Sequence, residues 1–396
     1  MKRQAAGVDL SRLRRMNALS ALHAVRAAGM PLTLTELATR TGLSRASVED
    51  LAAELLTQGW IADVPPAAGT VGRPARRVRF RSEVGYVAGL DVGLHHVRAA
   101  VSDLSGNVLA ATHTAVQPET PREERLAALD HVLAECMHTA GIDATSLWAI
   151  GAGTTGVVDP AGTVTLSNLA AGWTGVDLAG HLRTHCQGPV GVENDSRVAA
   201  LAEHRKGAAQ DISDAVYVHA GLQVSGALII GGRIHRGFGG AAAEIGLLPM
   251  AAWESAPDHL TRSPAVPDGA APQDAAGLVL AAARRGDTQA ILSVDRFSSD
   301  LAAGTATMVA TLDPEIVVLG GGLARSADIL LPRLEAGLRS MCVRVPELRP
   351  SPLGDECVAL GAVHLALDRV DQTLFETDGE LRSPAVPAVA GHKATT

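Results

Sequence analysis

Over the first sixty positions, apolar residues fall on helical spacings punctuated by glycine. Leu13, Met16, Leu19, Leu22 and Val25 recur every three residues across 10–28, and Gly29 and Pro31 close that segment. A short helix is predicted after a Thr33 cap, through Leu37 and Ala38, broken at Thr41-Gly42-Leu43. Ser44 then caps a third helix that ends at Gly59. Its apolar residues Val48, Leu51, Ala52, Leu55 and Leu56 follow the i, i+3, i+4, i+7, i+8 template. Trp60–Val64 and Arg77–Phe80 read as two strands around a loop containing Gly72-Arg73-Pro74. Helix, helix-turn-helix and two-stranded wing together predict a winged helix.

The pattern changes at Gly85. Strands are predicted at 86–90, 97–101 and 108–112, the last two joined by a Ser105-Gly106-Asn107 turn, and near 147–152, 190–192, 215–219, 226–230 and 315–319. Helices alternate with these strands to about 368, which predicts an α/β fold. The Pro/Ala/Asp-rich stretch 251–273 reads as a loop. The expected organisation is a winged helix over 1–82, an α/β domain over 83–370 and a disordered tail over 371–396.

Charge sharpens this division. Residues 1–82 hold 13 Lys+Arg against 6 Asp+Glu, a net of +7, whereas the rest holds 21 against 36, a net of −15. Positive charge gathered in one small segment is what a nucleic-acid-binding module requires. The cysteines Cys136, Cys186, Cys342 and Cys357 form no CxxC pair and read as isolated reduced thiols. No apolar signal region follows Met1-Lys2-Arg3 and no apolar run is long enough to span a bilayer, so a cytoplasmic location is expected.

In a helix-turn-helix, the first turn of the second helix touches base edges. Ser44, Arg45 and Ser47 occupy that turn. The rest of the outward face, Ala46, Asp50, Ala53 and Thr57, lacks Arg and Lys, so bidentate reading of guanine is not expected there. The wing compensates: Pro74 keeps Arg73 extended, suited to a narrow minor groove. Arg76, Arg77 and Arg79 are candidates for phosphate contacts. The expected partner is a double-stranded DNA operator.

The α/β portion carries Gly89-Leu90-Asp91-Val92-Gly93, Asp103-Leu104-Ser105-Gly106, Ser167-Asn168-Leu169 with Trp173, Glu193-Asn194-Asp195, Ala243-Glu244-Ile245-Gly246, and Asp313-Pro314-Glu315 into Leu319-Gly320-Gly321-Gly322. In this order and spacing, they resemble the ROK family of repressors and sugar kinases. The resemblance, over about residues 10–368, implies a two-lobed actin-like ATPase (ribonuclease H-like) sugar-kinase fold and a homodimer or higher homo-oligomer. It also implies sugar contacts at Asn168, Asn194, Asp195 and Glu244, with Asp195 in the place of the kinases' general base. Paired amides and carboxylates suit a polyol, because each hydroxyl both donates and accepts. A simpler reading makes Asn194-Asp195 the cap of the following helix.

Departures from the kinase pattern decide what the domain can do. Leu94-His95 stands where kinases carry Gly-Thr, and Gly221-Leu222-Gln223-Val224-Ser225-Gly226 replaces their Gly-Thr-Gly-x-Gly loop. These bulkier groups predict that ATP binding and phosphoryl transfer are lost, leaving Asp195 vestigial. The family's zinc pattern places His after Glu-x-Gly, followed by cysteines. Here that position is Leu247 and 251–273 contains no cysteine. His95, His96, His235 and His259 have no cysteine or second histidine at ligand spacing, so no metal and no cofactor are expected. The leading expectation is a DNA-binding regulator, a repressor, whose kinase-like domain binds a sugar or related effector. The alternatives are an active sugar kinase using Asp195 and an effector-independent scaffold for dimerisation.

Overall fold

A computed structural model describes residues 10–65, 76–376 and Pro384. The N-terminal unit consists of helices α1 (Leu10–Ala27), α2 (Leu34–Thr41) and α3 (Arg45–Gln58), with strands β1 (Leu32–Thr33), β2 (Ile61–Val64) and β3 (Arg77–Phe80). The strands form one antiparallel sheet in the order β1-β3-β2; β1 was not anticipated. Local chemistry sets the helix boundaries. The Thr33 hydroxyl accepts from the Glu36 amide while the Glu36 carboxylate accepts from the Thr33 amide, a reciprocal cap. Ser44 Oγ accepts from the Ser47 amide at 3.1 Å, and Gly59, at φ +87°, ends α3 in the left-handed region. The buried face of α3 is Val48, Leu51, Ala52 and Leu55, and Leu56 is only partly covered. Not all of the residues spaced by three in α1 are buried. Leu13 and Met16 are exposed, and Ala18, Leu19, Ala21, Leu22 and Val25 face the core.

Two five-stranded sheets follow, each with the same plan. The first contains β4 (Tyr86–Val92), β5 (His96–Asp103), β6 (Val108–Ala115), β7 (Leu147–Thr154) and β10 (Val190–Asn194), in the order β10-β7-β4-β5-β6. A small ribbon of β8 (Val157–Val158) and β9 (Val164–Leu166) leaves its end. The second contains β11 (Ala215–Ala220), β12 (Val224–Ile230), β13 (Arg233–Ile234), β14 (Ile316–Gly320) and β15 (Glu347–Pro350), in the order β13-β12-β11-β14-β15. In each sheet, three consecutive antiparallel strands precede two strands added in parallel by helical crossovers. Such a pair of lobes is the actin-like, ribonuclease H-like sugar-kinase fold. The helices are α4 (Arg122–Ala140), α5 (Leu178–Leu182), α6 (Asp195–Lys206), α7 (Asp258–Thr261), α8 (Pro272–Arg284), α9 (Thr288–Leu312), α10 (Ala327–Met341) and α11 (Cys357–Glu376).

Two sequence expectations are corrected here. The stretch 251–273 is not a plain loop: Trp253, Ala256 and Leu260 are buried, α7 lies within it and α8 begins at Pro272. The tail does not begin at 371, because α11 continues to Glu376. Residues 377–383 and 385–396 lie outside the described residues.

The end of α11 packs against the winged helix. One apolar cluster joins Leu19, Leu22, Leu55 and Trp60 of the N-terminal unit, Val87, Leu104 and Trp148 of the first lobe, and Val363, Leu367 and Val370 of α11. Trp60 meets Trp148 edge-to-face, with ring centroids 5.9 Å apart and planes at 90°. Arg26 pairs with Asp371 at 2.6 Å, and the Arg15 guanidinium donates to the Leu374 carbonyl. At its other end α11 lies backbone-close to the first lobe. A Cβ on Gly151 would stand 1.9 Å from the Ala362 carbonyl oxygen, and one on Gly361 1.9 Å from that of Val198 in α6. The described part of the winged helix therefore shares a core with the first lobe.

Trp60→Ala is expected to cost about 3–5 kcal/mol. In calorimetry, the wild-type winged helix and first lobe should unfold in one transition. A separate early transition of the winged helix would contradict the shared core.

Candidate functional site

Two regions bring the predicted residues together. The first is the exposed side of the winged helix. Ser44, Arg45, Ala46, Glu49, Asp50, Ala53 and Thr57 lie on the solvent face of α3, and Ser47 is half-buried beside them. The hydroxyls of Ser44 and Ser47 are 2.8 Å apart, so part of their capacity is used within the cap. Arg45 bonds Glu49 at 2.8 Å and also reaches the Thr35 hydroxyl. Arg76 makes a two-pronged pair with Asp63 at 2.7 and 2.8 Å, and Arg79 another with Glu83 at 3.0 Å to each oxygen. These exposed pairs are individually weak, and phosphate can displace the carboxylates. The positive charge counted from the sequence is nevertheless partly spoken for. Arg77 is exposed at the start of β3. Arg73, the candidate for minor-groove insertion, lies outside the described residues.

The second region is the cleft between the lobes. A cavity of about 270 Å³ is lined by all four candidate effector residues, Asn168, Asn194, Asp195 and Glu244, although these are scattered over 77 positions of the chain. Asn168 sits exposed on the rim beyond β9. Asn194 ends β10 and caps α6: its side-chain oxygen accepts from the Ser196 amide at 3.0 Å and its amide group donates to the Gly156 carbonyl at 3.0 Å. The helix-cap reading is thus realised for Asn194 while the residue still faces the cavity. Asp195 Oδ1 accepts from the Ser196 amide at 2.6 Å. Burial, then the nearby Asp91, pushes the Asp195 carboxyl up to about 7, with Glu244 adding to the shift. Burial also raises Glu244, against the pull of Arg197.

A clamp that the sequence reading missed delivers Glu244. Buried Glu193 accepts from Arg197 at 3.0 Å and from Arg236. Arg197 in turn donates to the carbonyls of Gly240 and Ala242, at 2.6 and 3.0 Å. The loop so held places Ala243 at φ +68°, a conformation costly for a residue with a Cβ, immediately before Glu244. The i, i+4 spacing of Glu193 and Arg197 was the available signal. The apolar part of the wall is Val157, Leu166, Leu169, Leu222, Val224, Leu247 and Trp253.

A neighbouring cavity of about 310 Å³ shares Thr155, Asp195, Leu222 and Gln223 with the first, so Asp195 stands at the junction of the two. Its walls are the two altered loops: Gly93, Leu94, His95 and His96 on one side, Gly221 to Gln223 and Gly321-Gly322 on others. His96 Nε2 lies 2.7 Å from Asp91 Oδ2, so the first-loop carboxylate is held by an imidazole. The Leu222 and Gln223 side chains border both cavities. Leucine and histidine side chains and a histidine-held Asp91 thus line this cavity beside its glycines. The residues do not fit the family's zinc: Leu247 offers no ligand, and no cysteine follows it in 251–273. Among the other histidines considered, His259 bonds Asp300 at 2.9 Å and His235 is exposed.

Comparison with known proteins agrees with this geometry. The ROK family model matches residues 87–271 and 270–369, and the IclR helix-turn-helix domain model matches 16–65. The xylose repressor of Caldicellulosiruptor bescii is 22% identical over 382 residues, covering 85% of this chain and 92% of its own. Among solved structures, a ROK family transcriptional regulator, a homologue of the E. coli MLC protein, superimposes with a TM-score of 0.73 at 22% identity. It covers 92% of this chain and 97% of its own. A ROK family glucokinase from Streptomyces griseus, in complex with glucose and AMPPNP, gives a TM-score of 0.62 at 26% identity, covering 72% of this chain and 100% of its own. Both lobes, the cleft between them and the helix-turn-helix ahead of them are thus accounted for: the chain belongs to the ROK family.

Proposed function

We propose that this protein is a sugar-responsive, DNA-binding transcriptional repressor in the cytoplasm, acting as a homodimer. One observation carries the reading: the winged helix is built into the core of a sugar-kinase-like lobe. The regulators it resembles extend over this N-terminal unit, whereas the glucokinase covers 72% of the chain. The reading helix and the wing contact an operator through Ser44, Arg45, Ser47, Arg73, Arg76 and Arg77. A sugar or sugar derivative enters the cleft at Asn168, Asn194, Asp195 and Glu244. Asn194 and Asp195 begin α6, α6 packs on α11 at Gly361, and α11 ends against Arg15 and Arg26 of α1. Closure of the lobes around an effector would shift these packed helices together and change the separation of the two reading helices in a dimer.

Kinase chemistry fits less well. A general base needs a partner phosphate, and the adjoining cavity offers Leu222, Gln223 and a histidine-held Asp91 in place of open phosphate loops. Asp195 serves better as a hydrogen-bonding group for a sugar hydroxyl than as a base. A sugar- and magnesium-dependent ATP turnover assay should give no signal above background. Clear turnover that Asp195→Asn abolishes would establish the kinase reading instead.

Further outcomes follow for DNA and for pH. Selection from random fragments at physiological salt should recover a preferred site, bound at least about 10³-fold tighter than non-specific DNA; absence of any preference overturns the proposal. Arg77→Ala should weaken binding to all sequences alike and reduce the salt slope by about one. The raised pKa of Asp195 has a definite sign in stability. Between roughly its unfolded value of 3.8 and about 7, the folded state holds a proton that the unfolded state has released, so stability falls as pH rises through this window. Asp195→Asn removes the penalty. Without ligand, it should raise the melting temperature more at pH 8 than at pH 5, whereas a uniform decrease would contradict the buried, proton-holding carboxyl.

A further inference from the structure

Away from both cleft cavities, α4 and the short α5 segment bring three metal-ligating side chains together. Asp130 comes from the middle of α4. His181 lies in α5, and His185 lies just beyond it, after the helix tightens into a final turn. The spacing of four residues puts both imidazoles on one side of that turn. Asp130 Oδ1 is 2.7 Å from His181 Nε2 and 2.8 Å from His185 Nε2, and the three ligand atoms all lie within 4.8 Å of one another. The rings are 5.7 Å apart and tilted by 57°, so they converge without stacking. Their side chains are 25% and 31% exposed and that of Asp130 is 38% exposed, so solvent reaches the group.

We propose that Asp130, His181 and His185 form a site for a divalent transition-metal ion, with zinc as the best match. Two imidazole nitrogens and one carboxylate oxygen are a borderline donor set that suits zinc, cobalt or nickel and disfavours magnesium or calcium. Zinc bonds of about 2.0–2.2 Å in tetrahedral geometry set ligand atoms roughly 3.3 Å apart. Side-chain rotations that lengthen the two Asp130–His contacts bring the triangle toward that size, and the exposed side leaves a fourth position for water. The ion enters as the two Nε2 atoms turn their lone pairs inward, their remaining protons moving to Nδ1 or to solvent. Binding links α4 to α5. The site is distinct from the family's His-and-cysteine zinc pattern, which Leu247 has removed, and it does not depend on the regulatory reading above. A His-x₃-His spacing was its only signal in the sequence, and its third ligand lies 51 residues away.

The test uses the tag-free full-length chain, stripped with chelator. Calorimetric titration with zinc should show one site in the micromolar range, and magnesium none. Zinc should raise the melting temperature by several degrees. Asp130→Asn and His185→Gln, which retain hydrogen-bonding groups, should each weaken zinc binding at least tenfold while melting in chelator like the wild type. If either unfolds, cobalt absorption of the wild type decides: the proposal requires visible d–d bands without a thiolate charge-transfer band. Equal zinc affinity in both variants, no binding below about 100 μM, or a thiolate band would overturn it, leaving a triad held by hydrogen bonds alone.

Discussion

The apolar junction around Trp60 and Trp148 is the contact on which the rest of the molecule depends. A winged helix of this size has a limited core, with Leu19, Leu22, Val48 and Leu55 among its buried residues. Here that core does not close on itself. It continues into the first lobe and onto the last turns of α11. Two fully buried tryptophans meeting edge-to-face cannot separate without exposing large apolar faces. The DNA-reading unit therefore has a defined orientation on the lobe, and any rearrangement of α11 must be felt by α1.

The cleft obeys a second constraint: the burial of like charge. Asp195 feels both Asp91 and Glu244 in a site whose deeply buried cation, Arg197, pairs with Glu193 and backbone carbonyls and reaches Glu244 only at 3.6 Å. In a kinase, magnesium and phosphate would share this electrostatic load. Here His96 takes Asp91, and Asp195 keeps its proton to about pH 7. The resulting cavity, with carboxyl and amide groups on one part and leucines on another, suits a neutral polyol bearing an apolar face.

Much of this was legible in the sequence where the causes are local. Thr33, Ser44 and Gly59 fix helix ends by bonds within a few residues, and the structure has these caps where expected. The central strands β4, β7, β11 and β14 were legible because buried strands are nearly continuous apolar runs. The spacing by three in α1 does not by itself mark a buried face. Residues spaced by three slip about 60° per step, so Leu13 to Val25 sweep roughly 240° around a helix and cannot share one face. The Pro-rich stretch 251–273 concealed a core segment whose signal was Trp253, Ala256 and Leu260 at helical spacing. The strand β15 was missed as a short, polar edge strand ending in Pro350. Partnerships across the chain were not legible at all: Arg76 and Arg79 read as free phosphate ligands, and their carboxylates appear only in three dimensions.

The central claim is that the sugar cleft and the DNA-reading surface are two ends of one packed body. It is tested most directly by a binding cycle on the full-length protein: the affinity of a sugar measured with and without the operator, and of the operator with and without that sugar. The account predicts that both affinities change by the same factor, about 5- to 150-fold, because coupling free energy is reciprocal. A sugar that binds the cleft and leaves operator affinity unchanged would contradict it.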